Sequence, residues 1–329
     1  MSEYGSNYTD EHIVLIKKKF EKEYRQAINE LEDKARNYFE KHKDEIDNML
    51  EKLERNEISE EFYQNWFMNR LGSGIWYNQL ADELANDMLT INERCCEIAN
   101  KEIIGTYAEN LAYETFKIEK ELQIDTSFAL VKEGTVRQLI KEDRLLLPLM
   151  EMNKTKDIAW NIKNINSQVL QSVLQGEDLF QLRDRFRNIA HMNVNVAYSR
   201  ARTAMTCAQN MGSLDSIERA KELGIKVKKQ WLATADDRTR PTHILVDGET
   251  RESDETFSNG LMFPADPAGS IDETMNCRCD MLSVVDDDTS EVNWDVCTER
   301  VNDTGMTYEV WKQDAALRRL EEGDDLGWL

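Results

Sequence analysis

The sequence predicts a mostly α-helical protein, in which long amphipathic helices are followed by a smaller, compact α+β unit with a few short strands. Helix-breaking residues are concentrated in one stretch. No proline precedes Pro148, whereas three of the four prolines and three glycines lie between residues 236 and 276. After Gly224 the spacing of apolar residues changes from helical periodicity to the alternation typical of strands. Long helices are therefore expected before Gly224 but not in the stretch after it.

The first long helix is predicted over residues 10–55. Its apolar residues are spaced by seven in two interleaved series: Ile13, Phe20 and Ala27, and Tyr24, Leu31 and Tyr38. Lys17 and Lys34 interrupt this seam. The pattern therefore favours an amphipathic helix that packs within the protein over a committed coiled coil.

Helical spacing recurs in three further apolar stripes before Gly224. These are Leu80, Leu84, Met88, Ile91, Cys95 and Ile98; Ile158, Ile162, Ile165, Val169 and Val173; and Val196, Ala201, Ala204, Met205, Ala208 and Met211. Cys95 lies on an apolar face, so we expect a buried structural thiol. Gly224 is expected to end the last of these helices as its C′ residue.

Shorter elements lie between these stripes. Residues 107–122 are predicted to be helical, and Asp178 is a candidate N-cap for a helix that carries Leu179, Leu182, Phe186 and Ile189. Residues 123–153 are ambiguous, because Phe128, Leu130 and Val131 fit either a short strand or a turn.

Three strands are predicted after Gly224. Ile225, Val227 and Trp231 share one parity, with polar residues between them, which indicates a half-buried strand. Residues 244–246, followed by Asp247-Gly248, predict a second strand that runs into a turn, and residues 281–285 predict a third. We therefore divide the chain into an N-terminal helical region (1–153), a domain over 154–285 with helices in 154–224 and an α+β unit in 225–285, and an acidic tail (286–329). The tail is expected to be partly helical, between Tyr308 and Leu320.

The overall composition limits the classes of function. A net charge of −22 opposes non-specific binding of nucleic acid by the whole surface. No apolar run approaches the roughly 20 residues that span a bilayer, and the N-terminus lacks the features of a secretory signal. The six cysteines are too sparse for a disulfide scaffold, so folding in a reducing cytoplasm is expected.

Three blocks of residues follow one another within about 90 residues of the sequence. The first is Arg202-Thr203 within a helix. The second contains Trp231, Asp236, Asp237, Arg238, Arg240, His243, Asp247 and Gly248. The third contains Pro264, Asp266 and Pro267 and ends in Asn276, Cys277, Arg278 and Cys279. Together the blocks resemble the signature domain of the Mu F-like, SPP1 gp7-like family of phage head morphogenesis proteins.

The resemblance implies a minor capsid protein of a tailed phage or prophage, associated with the portal and acting in head assembly or in DNA packaging or ejection. The implied partners are the portal protein and the major capsid or scaffold proteins, with phage DNA contacted indirectly. No membrane and no small-molecule substrate are implied. The implied location is the virion, in the capsid interior or at the portal vertex, after assembly in the host cytoplasm.

Some relatives in this family carry C-terminal toxin or ADP-ribosyltransferase domains. Here 44 residues, 286–329, follow the domain. That length is short for a separate enzyme core, so no attached effector is expected.

The charged turn, residues 236–240, allows two interpretations. It is either a fixed network of ion pairs that holds a loop, or an acid–base site in which Asp236 or Asp237 acts with His243. The second needs a nucleophile, and the sequence contains no G-x-S-x-G, phosphate-binding glycine loop or H-E-x-x-H pattern. We therefore assign no catalytic residue and expect a protein that is not an enzyme.

Two alternative functions remain open. One is a hydrolase or ADP-ribosyl-handling enzyme that uses Asp236, Asp237 and His243. The other is an ejected, DNA-associated virion protein. The second is favoured only by positive charge on neighbouring helices, at Arg183, Arg185, Arg187, Arg200 and Arg202.

His243, Cys277 and Cys279 supply three potential zinc ligands, with Cys207, Cys297 or Asp237 as a possible fourth. The C-x-C spacing argues against this site, because zinc sites typically use C-x2–4-C, and we expect C-x-C to bind only where the backbone is kinked. No cofactor is therefore expected, and a structural zinc is the lesser alternative. Trp231, Phe257 and Phe263 are expected in the core.

Overall fold

The computed structural model describes residues 3–67, 69, 75–142, 145–174, 179–300 and 305–322. Contacts divide the chain into two units. The helical unit comprises Lys17–Ile98 and Glu151–Tyr198, and the mixed unit comprises Met1–Ile16, Ala99–Met150 and Ser199–Leu329. Within the described ranges, no helix combines the length and the apolar character needed to cross a bilayer.

Long helices dominate the described chain, so the predicted fold class is confirmed. The helices are α1 (Glu3–Lys41), α2 (Lys43–Glu54), α3 (Glu60–Phe67), α4 (Ile75–Leu122), α5 (Glu133–Lys141), α6 (Lys154–Leu174), α7 (Leu179–Glu222), α8 (Pro241–Leu245), α9 (Ile271–Thr274) and α10 (Tyr308–Glu322). The strands are β1 (Ile124–Asp125), β2 (Val227–Leu232), β3 (Thr250–Arg251), β4 (Asp280–Val285) and β5 (Thr298–Glu299).

The N-terminal helices follow the predicted apolar spacing. The helix expected over residues 10–55 is present as α1 and α2, with a break at His42, and the two helices expected within 80–122 form one continuous α4. The helical unit buries Phe20, Tyr24, Ile28, Leu84, Met88, Ile91, Cys95, Ile165, Phe186, Ile189 and Val194. Cys95 is a buried thiol as predicted, and burial raises its pKa to about 12.

Some of the predicted apolar and capping residues lie outside the described side chains. They are Ala27, Leu31, Tyr38, Leu80, Val169, Val173, Asp178, Leu179 and Leu182.

The mixed unit contains a three-stranded sheet in the order β3-β2-β4. Both partners of β2 are antiparallel to it, with Trp231 opposite Met281 and Lys229 opposite Arg251. The strands predicted over 225–231 and 281–285 are therefore confirmed, although the first begins at Val227 and not at Ile225. A separate antiparallel pair joins β1 to β5. The helix expected from Tyr308 to Leu320 is α10, which buries Trp311.

The C-terminus of α7 shows why Gly224 is required there. The Ile225 amide donates to the Ala220 carbonyl at 3.0 Å, which closes the helix in a Schellman-type turn. Gly224 has φ +78°, as predicted for a C′ residue, and a Cβ at this position would lie 1.9 Å from the Glu291 carbonyl oxygen. The chain therefore leaves the helix through a backbone approach that only glycine permits.

The strand predicted over residues 244–246 is wrong. Arg240 is extended and Pro241 occupies the first helical turn, which begins the short helix α8. Ile244 and Leu245 are exposed, not half-buried. The next strand along the chain, β3, begins only at Thr250 and pairs with β2. Residues 126–132, whose structure was ambiguous from the sequence, form neither helix nor strand.

Candidate functional site around the charged turn and the cysteine pair

The polar face of α7 holds the third sequence block in place. Thr203 Oγ1 accepts a hydrogen bond from the Asn276 amide at 2.8 Å, and Thr206 Oγ1 donates to the Cys277 carbonyl at 3.1 Å. The buried Asn210 side chain donates to the Pro264 carbonyl at 3.2 Å. Residues far apart in the sequence are thus fixed to one helix. Arg202, the neighbour of Thr203, is partly buried.

Asp236 is the centre of the charged turn. Both of its carboxylate oxygens accept hydrogen bonds from the Arg278 guanidinium, which is 2.6 Å away at Oδ1. The same carboxylate accepts hydrogen bonds from the Arg238 amide at 3.0 Å and from the Thr239 hydroxyl at 3.1 Å. These donors, Arg278 first, hold the pKa of Asp236 well below its usual range. Asp236 is therefore an ionised anchor for the loop.

The other charged residues of the turn are not gathered around Asp236. Asp237 is exposed, and the Arg238 guanidinium is mostly exposed and lies 3.5 Å from Asp236. Arg240 donates to the Met275 carbonyl, which ties the start of α8 to the segment before the cysteines. The turn is thus attached to the chain near residues 275–278 at two points.

The remaining motif residues close loops. Asp247 Oδ1 accepts a hydrogen bond from the Ala233 amide at 2.8 Å, and the Gly248 amide, with φ +77°, donates to the Trp231 carbonyl at 2.8 Å. The Asp266 carboxylate accepts hydrogen bonds from the Met262 amide at 2.9 Å and the Ala268 amide at 2.8 Å. Pro264, which precedes Asp266, is buried, and Pro267, which follows it, is exposed.

His243 meets both cysteines of the third block. Its Nδ1 lies 3.4 Å from the Sγ of Cys279 and 3.7 Å from the Sγ of Cys277, and its Nε2 lies 3.0 Å from Glu273 Oε2. The His243 ring is 1% exposed and packs nearly perpendicular to the Trp231 ring, with the two ring centroids 5.1 Å apart. The three potential ligand atoms lie within 4.8 Å of one another.

The backbone explains why the two thiols approach the same imidazole. Strand β4 begins at Asp280, so Cys277 and Cys279 precede it and are not governed by strand alternation. Asn276 has φ +56°, a left-handed conformation that kinks the chain immediately before the cysteine pair. Residues two apart on a regular strand also share a face, so the expectation that the C-x-C spacing keeps the two thiols from one ligand site is wrong.

The cysteine pair is electrostatically asymmetric. A hydrogen bond from the Cys277 thiol, together with the nearby His243, lowers the pKa of the Cys279 thiol below its usual range. The same hydrogen bond, together with burial, raises the pKa of Cys277. All six cysteines are free thiols. Among the described residues, Cys207, Cys297 and Asp237 do not join the cluster, so the structure brings together three of the six suggested ligands.

The sequence gives no role to two residues that hold this region together, Glu273 and Lys229. Glu273, on the four-residue helix α9, orients His243 from 30 positions away. Lys229 lies on the buried side of β2 and is 0% exposed, with its Nζ donating to the carbonyls of Ser253 at 2.9 Å and Met262 at 2.8 Å. Burial lowers the pKa of Lys229 to about 8. The sequence does contain a signal for its burial, because Lys229 has the same parity on β2 as the buried Val227 and Trp231.

The aromatic prediction is confirmed, since Trp231, Phe257 and Phe263 all belong to the buried core of the mixed unit. The arginines considered for DNA binding are less uniform. Arg185 donates to Gln168 at 3.0 Å, and Arg187 donates to Asp184 at 3.3 Å. Arg200 is exposed, and the Arg183 side chain lies outside the described residues.

Comparison with known proteins relates this region to phage proteins. A family model described as "Phage Mu protein F like protein" matches residues 163–282, which include all three sequence blocks. The chain is 24% identical over 224 residues to "Minor head protein GP7" of Bacillus phage SPP1, covering 66% of this chain and 71% of that protein.

A second relative carries the name of an enzyme. The chain is 27% identical over 239 residues to "NAD(+)--arginine ADP-ribosyltransferase EFV" of Enterococcus faecalis, covering 71% of this chain and 48% of that protein. The match thus spans about half the length of the enterococcal relative. No solved structure matches the chain.

Proposed function

Because the Mu F-like family model matches residues 163–282 and the chain is similar to a minor head protein, we propose that it is a minor capsid component that acts at the portal vertex during head assembly and in DNA packaging or ejection. Its partners in this proposal are the portal protein and the major capsid or scaffold proteins. It assembles with them in the host cytoplasm and remains in the capsid interior of the virion, where it contacts phage DNA indirectly.

The observation that supports a structural role is that the polar residues of the three sequence blocks are hydrogen-bonded within the unit. Asp236 accepts hydrogen bonds from Arg278. The carboxylates of Asp247 and Asp266 each accept hydrogen bonds from backbone amides, and Thr203 accepts one from the amide of Asn276, just before the cysteines. Each of these polar groups is hydrogen-bonded to the backbone or to another side chain of the unit, although Asp247 is also exposed to solvent. Such a unit is a rigid module for assembly.

The same geometry opposes the enzyme alternative. Catalysis by Asp236 or Asp237 with His243 needs these side chains to converge on space that a substrate can enter. His243 is 1% exposed and Asp236 is occupied by Arg278, while Asp237 faces solvent. The activity in the enterococcal protein's name is not transferred by the match, which covers 48% of that protein. We therefore propose that this chain is not an enzyme.

A direct contact with DNA as the main function is also disfavoured. The net charge of −22 repels phosphates, and Arg185 and Arg187 are engaged by neighbouring side chains. Contacts with protein partners are more consistent with this charge, which is why the proposal assigns DNA an indirect role.

Portal association is tested by assembling heads with and without the portal protein in cells that produce an epitope-tagged chain. Purified particles are compared by quantitative mass spectrometry. We expect a low, fixed number of copies in heads that contain the portal protein and loss of the chain from heads that lack it.

Equal amounts in both kinds of head would contradict portal association and leave a capsid-bound protein. Absence from both would contradict the assembly role itself. An Asp237→Asn variant is the matched control for the enzyme alternative, because Asp237 is exposed and outside the loop network. Under the structural proposal its incorporation and the yield of infectious particles remain at wild-type level.

A further inference from the structure

We propose that His243, Cys277 and Cys279 bind one zinc ion, which joins helix α8 to the segment that leads into strand β4. The three ligands come from two elements that are more than 30 residues apart in the sequence. The site is independent of the proposed place of the protein in the phage head.

The distances fit tetrahedral coordination. With Zn–S of about 2.3 Å and Zn–N of about 2.0–2.1 Å, a tetrahedral angle places a nitrogen and a sulfur ligand about 3.5 Å apart. The observed separations from His243 Nδ1 are 3.4 Å to Cys279 and 3.7 Å to Cys277, which bracket that value. A zinc ion can thus be accommodated without a large movement of any of the three side chains.

The second ring nitrogen of His243 has the partner that zinc-binding histidines use. Its Nε2 lies 3.0 Å from Glu273 Oε2, so a proton on Nε2 is bound by the carboxylate and the lone pair of Nδ1 faces the two thiols. A carboxylate in this position fixes the tautomer and raises the basicity of the ligand. Glu273 is therefore a positioning residue for the site.

The donor set selects the class of metal. Two thiolates and one imidazole favour zinc over magnesium or calcium, which prefer oxygen ligands. Among the described residues no fourth protein ligand joins the cluster, so the fourth position belongs to a water molecule in this proposal. On binding, each cysteine that is still protonated releases its proton to solvent, and both thiolates bond to the metal.

The metal has a clear structural task. The sheet around it consists of one two-residue strand and two six-residue strands, and α8 has five residues. Elements this short gain stability from a cross-link between loops, as in other small metal-bound folds. His243, Cys277 and Cys279 are all buried, which protects the thiolates from solvent.

The first test is metal analysis of the full-length protein, purified without chelator, by inductively coupled plasma mass spectrometry. We expect close to one zinc per chain in the wild type. Cys277→Ser and Cys279→Ser should each lose most of it. Cys207→Ser is the matched control, since Cys207 is also a buried thiol but lies outside the cluster, and it should keep the metal.

A second measurement separates loss of the site from loss of the fold. Wild-type protein is treated with a chelator and then reloaded with zinc or with cobalt(II). We expect a lower Tm after chelation, recovery with zinc, and with cobalt the absorption bands of tetrahedral cobalt bound to thiolate. Cys207→Ser should give the same bands, even if the cluster variants fail to fold.

Folded wild-type protein that contains only traces of zinc and binds neither metal would overturn the proposal. Metal that survives substitution of both clustered cysteines would also overturn it, because the ion would then lie elsewhere. Neither result would bear on portal association, which is measured in assembled heads.

Discussion

The helical unit and the α+β region at residues 225–285 bury different kinds of side chain. In the helical unit, Asn161 is the buried polar residue among the described side chains, and the rest of the interior is apolar. The α+β region instead buries polar and charged residues, namely Lys229, His243, Ser253, Asp266, Thr274 and Asp280. The first interior depends on apolar area and the second on specific partners.

This difference determines how each region responds to substitution. Apolar burial is spread over many contacts, and its periodicity can be seen in the sequence. A buried polar group that loses its partner has a desolvation cost that nothing offsets. Single polar substitutions should therefore be far more damaging in the α+β region than in the helical unit.

The largest effect is expected for Lys229→Ala. The change leaves the carbonyls of Ser253 and Met262 without their donor and opens a cavity beside Phe257, whose ring centroid lies 5.2 Å from Lys229 Nζ. Together these losses should lower the free energy of unfolding by about 3–5 kcal/mol, measured by urea denaturation.

Lys228→Ala is the matched control on the same strand. Lys228 is exposed and pairs with Glu252 at 3.1 Å, so its loss should cost less than about 0.5 kcal/mol. Similar costs for the two lysines would show that the buried ammonium is not essential and would remove the main support for the contrast between the regions.

The next largest effect is expected for Gly224→Ala. A left-handed conformation at a non-glycine residue costs about 1 kcal/mol, and the clash with the Glu291 carbonyl adds to it. The total should reach about 2–3 kcal/mol. Gly248→Ala has nearly the same φ but nothing within 4 Å of the added Cβ, so it should cost only the conformational part, about 1 kcal/mol.

These two glycines distinguish strain from close packing. Equal losses for both substitutions, measured by the same urea titration, would mean that the segment near Glu291 moves aside. The close contact between Gly224 and the Glu291 carbonyl would then be adjustable and would not require glycine.

The sequence predicts much of the helical unit because its interior is apolar and periodic. The stripe through Leu84, Met88 and Ile91 lies on α4 as expected, and the absence of early prolines allowed helices of this length. Alternation also located β2. Parity places Lys229 on the inner face of the strand as well, but the charge of the residue argues against burial. Local carbonyl acceptors stabilise this ammonium inside.

The sequence predicts which residues belong to the candidate site, but not which of them contact one another. The sequence blocks contain both Asp236 and Arg278, yet nothing in them indicates that residues 42 positions apart form the ion pair. The left-handed conformation of Asn276, immediately before the cysteine pair, is also invisible to strand periodicity. Glu273 belongs to no block, although it orients His243.

A smaller, pH-dependent effect is expected at Asp215, in the part of α7 that belongs to the mixed unit. Burial raises the pKa of this carboxyl to about 6, although the Tyr107 hydroxyl donates to it at 2.6 Å. Between pH 6 and the ordinary value near 4, the folded protein holds a proton that the unfolded chain releases. The contribution of Asp215 to stability therefore rises as the pH falls from 7 to 5, by about 1 kcal/mol.

Asp215→Asn removes this titration, so the stability difference between wild type and variant should shift in favour of the wild type on acidification. Urea titrations of both proteins at pH 7 and pH 5 measure it. Asp237→Asn, which changes an exposed carboxylate, controls for the loss of one negative charge. A difference that stays constant with pH would place the pKa of Asp215 near its ordinary value.

The smallest effect is expected for Asn161→Leu in the helical unit. Asn161 is 0% exposed, but its Nδ2 has no hydrogen-bond partner among the described residues. Its Oδ1 accepts a 3.2 Å bond from Asn193, which also donates to the Ile189 carbonyl at 3.0 Å. Leucine has a similar volume and removes an unpaired donor, so unfolding free energy should change by less than about 0.5 kcal/mol.

Asn210→Leu is the counterpart in the mixed unit, since Asn210 is equally buried. Its side chain donates to the Thr206 carbonyl at 2.8 Å and to the Pro264 carbonyl at 3.2 Å, and its replacement should cost about 2 kcal/mol. Each asparagine has one buried atom without a partner among the described residues, Nδ2 in Asn161 and Oδ1 in Asn210. The two differ in the paired group, since Asn210 donates to two backbone carbonyls and Asn161 accepts from one side chain. If both substitutions cost the same, burial alone governs stability and the distinction between the two interiors fails.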